Sequence, residues 1–278
     1  MTKKEYRRET EMNVEANTTV HVNTIDQAWE FWYNVISTLA KNGRTDSSRD
    51  GEVAGEVLNA VTVIDDPTRC ILRSPVRNLP MRYCVGELLW YLSGNPRLSA
   101  IQLYTGAWDR MSDDGSTVNS NYGYIIQGSV DRCNGEDENC VDQKRYFDQM
   151  KMCEELLRKD PNTRQAVIHI KSARDVVNYP TKDLNCTVCL QFFIREGKLY
   201  MTTYMRSNDL WMGFPNDVFQ FSCMQVYMAM RLNVGLGSYT HIAGSLHLYE
   251  RDYKKSLENI EKEVSKSGGA REDTDKGC

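Results

Sequence analysis

Four stretches in the second half of the chain concentrate residue types able to do covalent and proton-transfer chemistry. They are Asn185-Cys186-Thr187, Tyr204-Met205-Arg206-Ser207-Asn208-Asp209, Gly213-Phe214-Pro215-Asn216-Asp217 and Gly244-Ser245-Leu246-His247-Leu248-Tyr249. A thiol attacks only as its thiolate, and with an ordinary pKa of ~8.5 it needs a cationic neighbour to act near neutrality. In the first half, Glu87 sits in the apolar run Val85 to Leu92. Burial there would raise its pKa and suit it to trading protons near pH 7. Each residue also has a bland reading. Cys186 is an inert small hydrophobe, or, as Cys186-Thr187-Val188-Cys189, half of a redox or zinc pair. Positions three apart on a strand face opposite ways, and Cys133 and Cys140 lie in a polar loop without a nearby histidine, which argues against the pair. Asp217 reads as a helix N-cap before Val218, Glu87 as a salt-bridge partner of Arg82 or Arg73, and His247 and Tyr249 as satisfied core residues on a strand. His21, His169 and His241 match no pattern and receive no role.

The elements that must position these groups are legible in part. Ile25 to Leu39 has helical spacing and precedes a polar, turn-rich loop at Asn42 to Gly51 that carries Arg44 and Arg49. A second helix is predicted over Met81 to Leu92 and a third over Asp142 to Lys159. Loops are predicted at Ser112 to Gly123 and Val130 to Asn139. Strand character marks Ala166 to Ile170, Val188 to Ile194 and Lys198 to Met205, the last two joined by Arg195, Glu196 and Gly197 as a hairpin, and a buried helix follows over Asp217 to Leu232. No repeat or linker marks a boundary. The expectation is a flexible arm at 1–22, one catalytic domain at 23–264 and a disordered tail at 265–278.

Composition bounds the rest. The chain has 278 residues, 41% of them hydrophobic and 26% charged, enough for one sizeable core. A net charge of -4 gives no basic field, so nucleic acid is not expected as the main partner. No run approaches the ~20 apolar residues of a membrane span. Nine scattered cysteines fit free thiols in a reducing compartment such as the cytoplasm, and leave the Asn-x-Thr matches at Asn17 and Asn185 idle.

Taken together, the four stretches resemble the thymidylate synthase family. That pattern has a nucleophilic cysteine five residues before a Gln-Phe strand, then Arg-Ser-x-Asp, a Gly-x-Pro-x-Asn segment and His-x-Tyr. Here Cys186 precedes Gln191-Phe192 by that spacing. Glu87-Leu88-Leu89-Trp90 resembles the family's Glu-Leu-Leu-Trp helix, and Trp108-Asp109 lies fourteen residues before Tyr122-Gly123. The resemblance covers roughly residues 25 to 255 and implies an α/β (α+β) fold, one domain built on a large mixed β-sheet flanked by helices. It also implies a homodimer with shared active sites.

The implied reaction is one-carbon transfer from 5,10-methylenetetrahydrofolate, a cosubstrate, to C5 of a pyrimidine nucleotide, with no metal. Cys186 would add to C6, Glu87 would handle protons and water, and Tyr122 would assist at C5. Arg206, with Ser207, would meet the phosphate and favour the thiolate. Arg44 would join it, and Arg164 would reach the partner's phosphate. Gln165 stands where a second arginine is usual, a departure that Arg49 could make good. His247 and Tyr249 would hold the sugar 3'-hydroxyl, and Trp108, Asp209 and Gly213 would line the folate site.

Asp217 stands where thymidylate synthases place asparagine. A carboxylate cannot donate to O4 of uracil, whereas it accepts from the amino group of cytosine and favours a proton on N3. The expected substrate is therefore a cytosine nucleoside monophosphate, and the context resembles phage deoxycytidylate hydroxymethylases, which favours dCMP. The expected product is 5-hydroxymethyl-dCMP. The alternatives are a CMP 5-hydroxymethylase of a nucleoside-antibiotic pathway and a dCMP or dUMP C5-methyltransferase.

Overall fold

The protein's computed structural model describes residues 18–41, 46–48, 51–131, 145–171 and 181–272. Strand β1 (Thr19–Val22) leads into helix α1 (Ile25–Lys41), followed by β2 (Asp46–Ser48) and the long β3 (Gly51–Ile64). Helices α2 (Met81–Ser93), α3 (Leu98–Gln102) and α4 (Tyr122–Gly128) come next, then the small ribbon β4 (Ser129–Asp131) and β5 (Arg145–Phe147), and α5 (Gln149–Lys159). The second half contributes β6 (Val167–His169), β7 (Thr187–Arg195), β8 (Lys198–Met205), β9 (Asn208–Asp209), α6 (Gly213–Leu232), β10 (Gly235–Tyr249) and α7 (Glu250–Glu272).

Eight strands form one mixed sheet in the order β1-β3-β10-β8-β7-β6, with β2 on β3 and β9 on β10. β10 runs antiparallel to β3 and parallel to β8, and β8, β7 and β6 are antiparallel. This is the α/β architecture around a large mixed sheet that the sequence led us to expect. Helix α1 buries Ile25, Ala28, Trp29, Trp32 and Ile36, and Trp32 donates to Thr62 Oγ1 of β3 at 2.8 Å. Helix α6 buries Phe214, Val218, Phe221, Met224 and Met228 around most of its circumference, as a helix enclosed by a sheet and its neighbours must.

The β7–β8 hairpin sets the register of the site. Glu196 and Gly197 both take left-handed backbone angles (φ 52° and 70°), the turn geometry whose twist matches paired strands. That pairs Arg195 with Lys198, and the ladder carries the register to Thr187 opposite Met205. One step further the Arg206 amide donates to the Cys186 carbonyl at 2.8 Å. A register shift between Thr187 and Cys189 re-aims this end of β7.

Several expected boundaries are corrected. Thr19–Val22 was placed in the arm, but it alternates into the sheet and pairs with Val61–Ile64 of β3. Helix α7 runs on to Glu272, past the expected start of the tail at 265. Helix α5 begins at Gln149, where the Asp148 carboxylate caps the Lys151 amide at 3.0 Å, and not at Asp142, because Arg145–Phe147 is strand. Tyr122 and Gly123, expected in a loop, open α4. Among the described residues no helix is long and apolar enough to cross a membrane.

Candidate active site

Cys186 is half-buried at the mouth of β7, and the hairpin register places Arg206 beside it, with Nη2 3.7 Å from Sγ. The guanidinium is aimed by Nε donating to the Asn185 carbonyl at 3.1 Å and Nη2 to the Leu184 carbonyl at 3.2 Å. A fixed cation next to a thiol is the arrangement that favours the thiolate. Other cysteines are placed differently. Burial pushes the Cys84 thiol up to about 12 and Cys153 up to about 11, and it raises Cys189, which like Cys186 is a free thiol.

Glu87 lies on the inner face of α2, 4% exposed. It is not salt-bridged to Arg82 or Arg73; Arg82 donates instead to the Leu103 carbonyl. Its partners are neutral: Tyr83 and Tyr91, one turn before and one turn after, donate to Oε1 at 2.9 and 3.2 Å, and Gln220 donates to Oε2 at 3.2 Å. Burial outweighs these three donors and pushes the carboxyl up to about 7. Tyr122 stacks between Tyr91 and Phe221, and its hydroxyl accepts from the Thr187 amide at 3.2 Å, next to Cys186. Burial first, then the charges of Cys186 and Asp217, hold this phenol well above its ordinary pKa. Gly123 allows that placement, because a Cβ there would lie 2.1 Å from the Tyr91 carbonyl oxygen.

Asp217 is not a helix cap. Helix α6 starts four residues earlier, at Gly213, and puts Asp217 inside its second turn, facing the cluster. Burial, reinforced by the nearby Glu87 charge, pushes its carboxyl up to about 8, against the pull of Asn208 Nδ2 donating to Oδ2 at 2.7 Å. Where the sequence suggests a simple carboxylate, burial favours the protonated form of Asp217, which can both donate and accept. Asn208 is held in turn by His241 Nε2 at 2.9 Å, and His241 Nδ1 by the Tyr239 hydroxyl at 2.8 Å. Gly213 lies directly over this pair, since a Cβ there would be 2.8 Å from Asn208 Nδ2 and 3.2 Å from Asp217 Oδ2.

The remaining expected residues lie on adjoining elements. Asp209 Oδ1 accepts from the Trp211 amide at 2.7 Å and the Met212 amide at 3.3 Å, which fixes the carboxyl plane, while burial pushes it up to about 6. The β9–β10 ladder pairs Asp209 with His247, and the Leu210 amide donates to the His247 carbonyl at 2.7 Å. His247 Nδ1 lies 3.2 Å from Ser245 Oγ, which donates to Glu56 at 2.6 Å, and the imidazole meets Tyr249 edge-on at 5.0 Å. Trp108 is half-buried against Trp90, and Ser207 is half-buried at the turn after β8. Arg164 is exposed before edge strand β6, its carbonyl accepting from Gln191. Arg44 and Arg49 lie outside the described residues.

Sequence reasoning missed Tyr83, Tyr91, Gln220, Asn208 and His241. The two tyrosines had a signal, four residues either side of Glu87 on a helix. Asn208 lies within the Tyr204-to-Asp209 stretch but was given no role there, and Gln220 and His241 come from separate elements and had no signal.

Residues 30–270 match the family described as Thymidylate synthase. The chain is also similar to the deoxyuridylate hydroxymethyltransferase of Bacillus phage SP01, 34% identical over 236 residues. That alignment spans 84% of this chain and 60% of the phage protein's length.

Proposed function

The chain belongs to the thymidylate synthase family, and from that premise we propose that it hydroxymethylates C5 of a cytosine nucleotide, dCMP, using 5,10-methylenetetrahydrofolate and water. The observation that carries the base choice is Asp217, a buried acid on α6 facing the cluster that contains Cys186, Tyr122 and Glu87. As a neutral acid it donates to N3 of cytosine and accepts from the 4-amino group. The enzyme then supplies the N3 proton that neutralises the ring as Cys186 adds to C6. When the thiolate attacks, its electron pair forms the S–C6 bond and the C5=C6 π pair is displaced toward C5 and the C4–N3 unit, and C5 becomes the nucleophile. Methylenetetrahydrofolate, when bound, would supply the one-carbon unit and depart as tetrahydrofolate before water adds to the resulting methylene carbon. Glu87, near 7, can remove the C5 proton and later orient water, with Tyr122 beside it. Thiolate departure then frees 5-hydroxymethyl-dCMP.

The donor set fits both ligands. Arg206 and Ser207 match a phosphate, and His247 and Tyr249 a sugar hydroxyl. The fixed acceptor of Asp209 beside half-buried Trp108 matches a flat, amino-bearing heterocycle. The same reading includes a homodimer in which Arg164, exposed at the sheet edge, serves the partner's phosphate.

A second reading, dUMP as the substrate, is favoured by the phage relative's name and by the same neutral Asp217, which can donate to O4 of uracil. Release of tritium from [5-³H]dCMP, compared with [5-³H]dUMP and CMP in the presence of methylenetetrahydrofolate, decides. The proposal expects dCMP to lead, and a faster dUMP reaction would overturn it. Dihydrofolate forming in step with product would mean methylation instead. Asp217→Asn should move preference toward uracil.

A further inference from the structure

An acid that pairs with a pyrimidine edge can pair with either base, and which base depends on which carboxyl oxygen carries the proton. With cytosine, the oxygen facing N3 donates and the one facing position 4 accepts. With uracil these roles are exchanged. Discrimination therefore needs a device that fixes the proton on one oxygen of Asp217.

The structure contains such a device. Asn208 is 3% exposed and His241 1%, and their side chains bond to each other and onward to Asp217 and Tyr239. Asn208 Nδ2 donates to Asp217 Oδ2, and since a carbonyl oxygen is the better acceptor this favours the acid proton on Oδ1. Flipping the amide would turn Asn208 Oδ1 toward Oδ2 and draw the proton there. The flip is opposed by His241, whose Nε2 lies 2.9 Å from Asn208 Oδ1, an atom that only accepts. Nε2 must then carry the hydrogen, leaving Nδ1 to accept from the Tyr239 hydroxyl at 2.8 Å. Burial pushes His241 down to about 3, so it stays neutral and only one ring nitrogen carries a hydrogen. Phe214, edge-on at 5.2 Å, packs its ring, and Gly213 leaves room for the Asn208–Asp217 contact.

We propose that His241 is a positioning residue for base choice: through its Nε2–H it orients the Asn208 amide, which favours the proton of Asp217 on Oδ1, and with Oδ1 facing N3 of the bound pyrimidine this selects cytosine over uracil. This rests on the reading that Asp217 contacts the base.

The test compares the ratio of kcat/KM for dCMP to that for dUMP in wild type, His241→Phe, His241→Gln and Asp217→Asn. Removing the donor with His241→Phe should lower the ratio about tenfold or more, the equivalent of about 1.4 kcal/mol. His241→Gln, which restores an N–H toward Asn208, should keep the ratio within about twofold of wild type. An unchanged ratio in His241→Phe, or equal losses in Phe and Gln, would overturn the proposal, provided Asp217→Asn shifts the preference. An unshifted Asp217→Asn would instead sink the base reading itself. If the Phe variant does not fold, ¹⁵N spectra of wild-type histidines still decide, with only four to assign. The Nε2–H tautomer is expected at His241, and the Nδ1–H tautomer would refute the relay.

Discussion

Replacing Glu87 by Gln should make the protein's stability less dependent on pH, and the size of the change follows from the site. The Glu87 carboxyl moves from its usual 4.5 to about 7 on folding, because burial outweighs the donors Tyr83, Tyr91 and Gln220. At roughly 1.4 kcal/mol per pH unit this is about 3 kcal/mol. The sign follows from proton binding. Between 4.5 and 7 the folded protein holds a proton that the unfolded chain has lost, so stability falls as pH rises through that window. Glu87's contribution is intact below about 4.5 and lost once pH has passed about 7. Glutamine cannot ionise, and Gln220 Oε1, buried without a hydrogen bond, can take its N–H. Urea unfolding of both proteins at one concentration, from pH 4.5 to 7.5, should show the variant gaining about 3 kcal/mol on wild type across the range. Asp217 titrates in both, but in the variant it loses the upward push of the Glu87 charge, so the comparison reads Glu87 together with its coupling to Asp217. A difference that stays flat with pH would mean that Glu87 is not held above its usual pKa.

Three further outcomes are expected. Cys186→Ser should cut tritium release from [5-³H]dCMP by ~10³-fold or more while dCMP binding, followed by calorimetry, stays within a few-fold, because a serine hydroxyl is not ionised by Arg206. Tyr83→Phe removes a donor that favours the ionised form of Glu87, so the limb of the kcat–pH profile that reports Glu87 should move to higher pH. Gly123→Ala should destabilise the protein by more than about 1 kcal/mol in thermal unfolding and lower kcat more than it raises KM, because the new methyl would push α4, and Tyr122 with it, off the Tyr91 carbonyl.

Local pattern carried much of the frame. The period of 3.6 in Ile25 to Leu39 and the Arg195-Glu196-Gly197 turn each specify an element without help from the rest of the chain, and both formed as expected. The long strands β3 and β10 were not legible in the same way. β3 contains Gly51, Gly55, Glu52 and Glu56, which disturb a clean alternation, and it is a strand because β1, β2 and β10 supply its ladder partners. The start of α6 was misjudged for a related reason. Gly213 and Pro215 look like turn residues, but proline suits a first helical turn and Gly213 is needed where Asn208 and Asp217 approach.

The ordering of the two acids illustrates what sequence could not supply. Both Glu87 and Asp217 sit on helices among apolar neighbours, and from spacing alone either could be the base and either the acid. In the fold Glu87 accepts from three donors, whereas Asp217 accepts from Asn208 alone. Each donor favours the charged form, so Glu87 is the easier of the two to ionise. Its charge then raises Asp217 further, because the two interact across a dry interior. The outcome is about 7 for Glu87 and about 8 for Asp217. On the proposed reading Glu87 is the group that takes a proton, and Asp217 keeps the one that a cytosine N3 needs. Like-charged neighbours whose surroundings push their pKa values apart divide acid from base work in this way. The division depends on Tyr83, Tyr91 and Gln220 on one side and His241-Asn208 on the other.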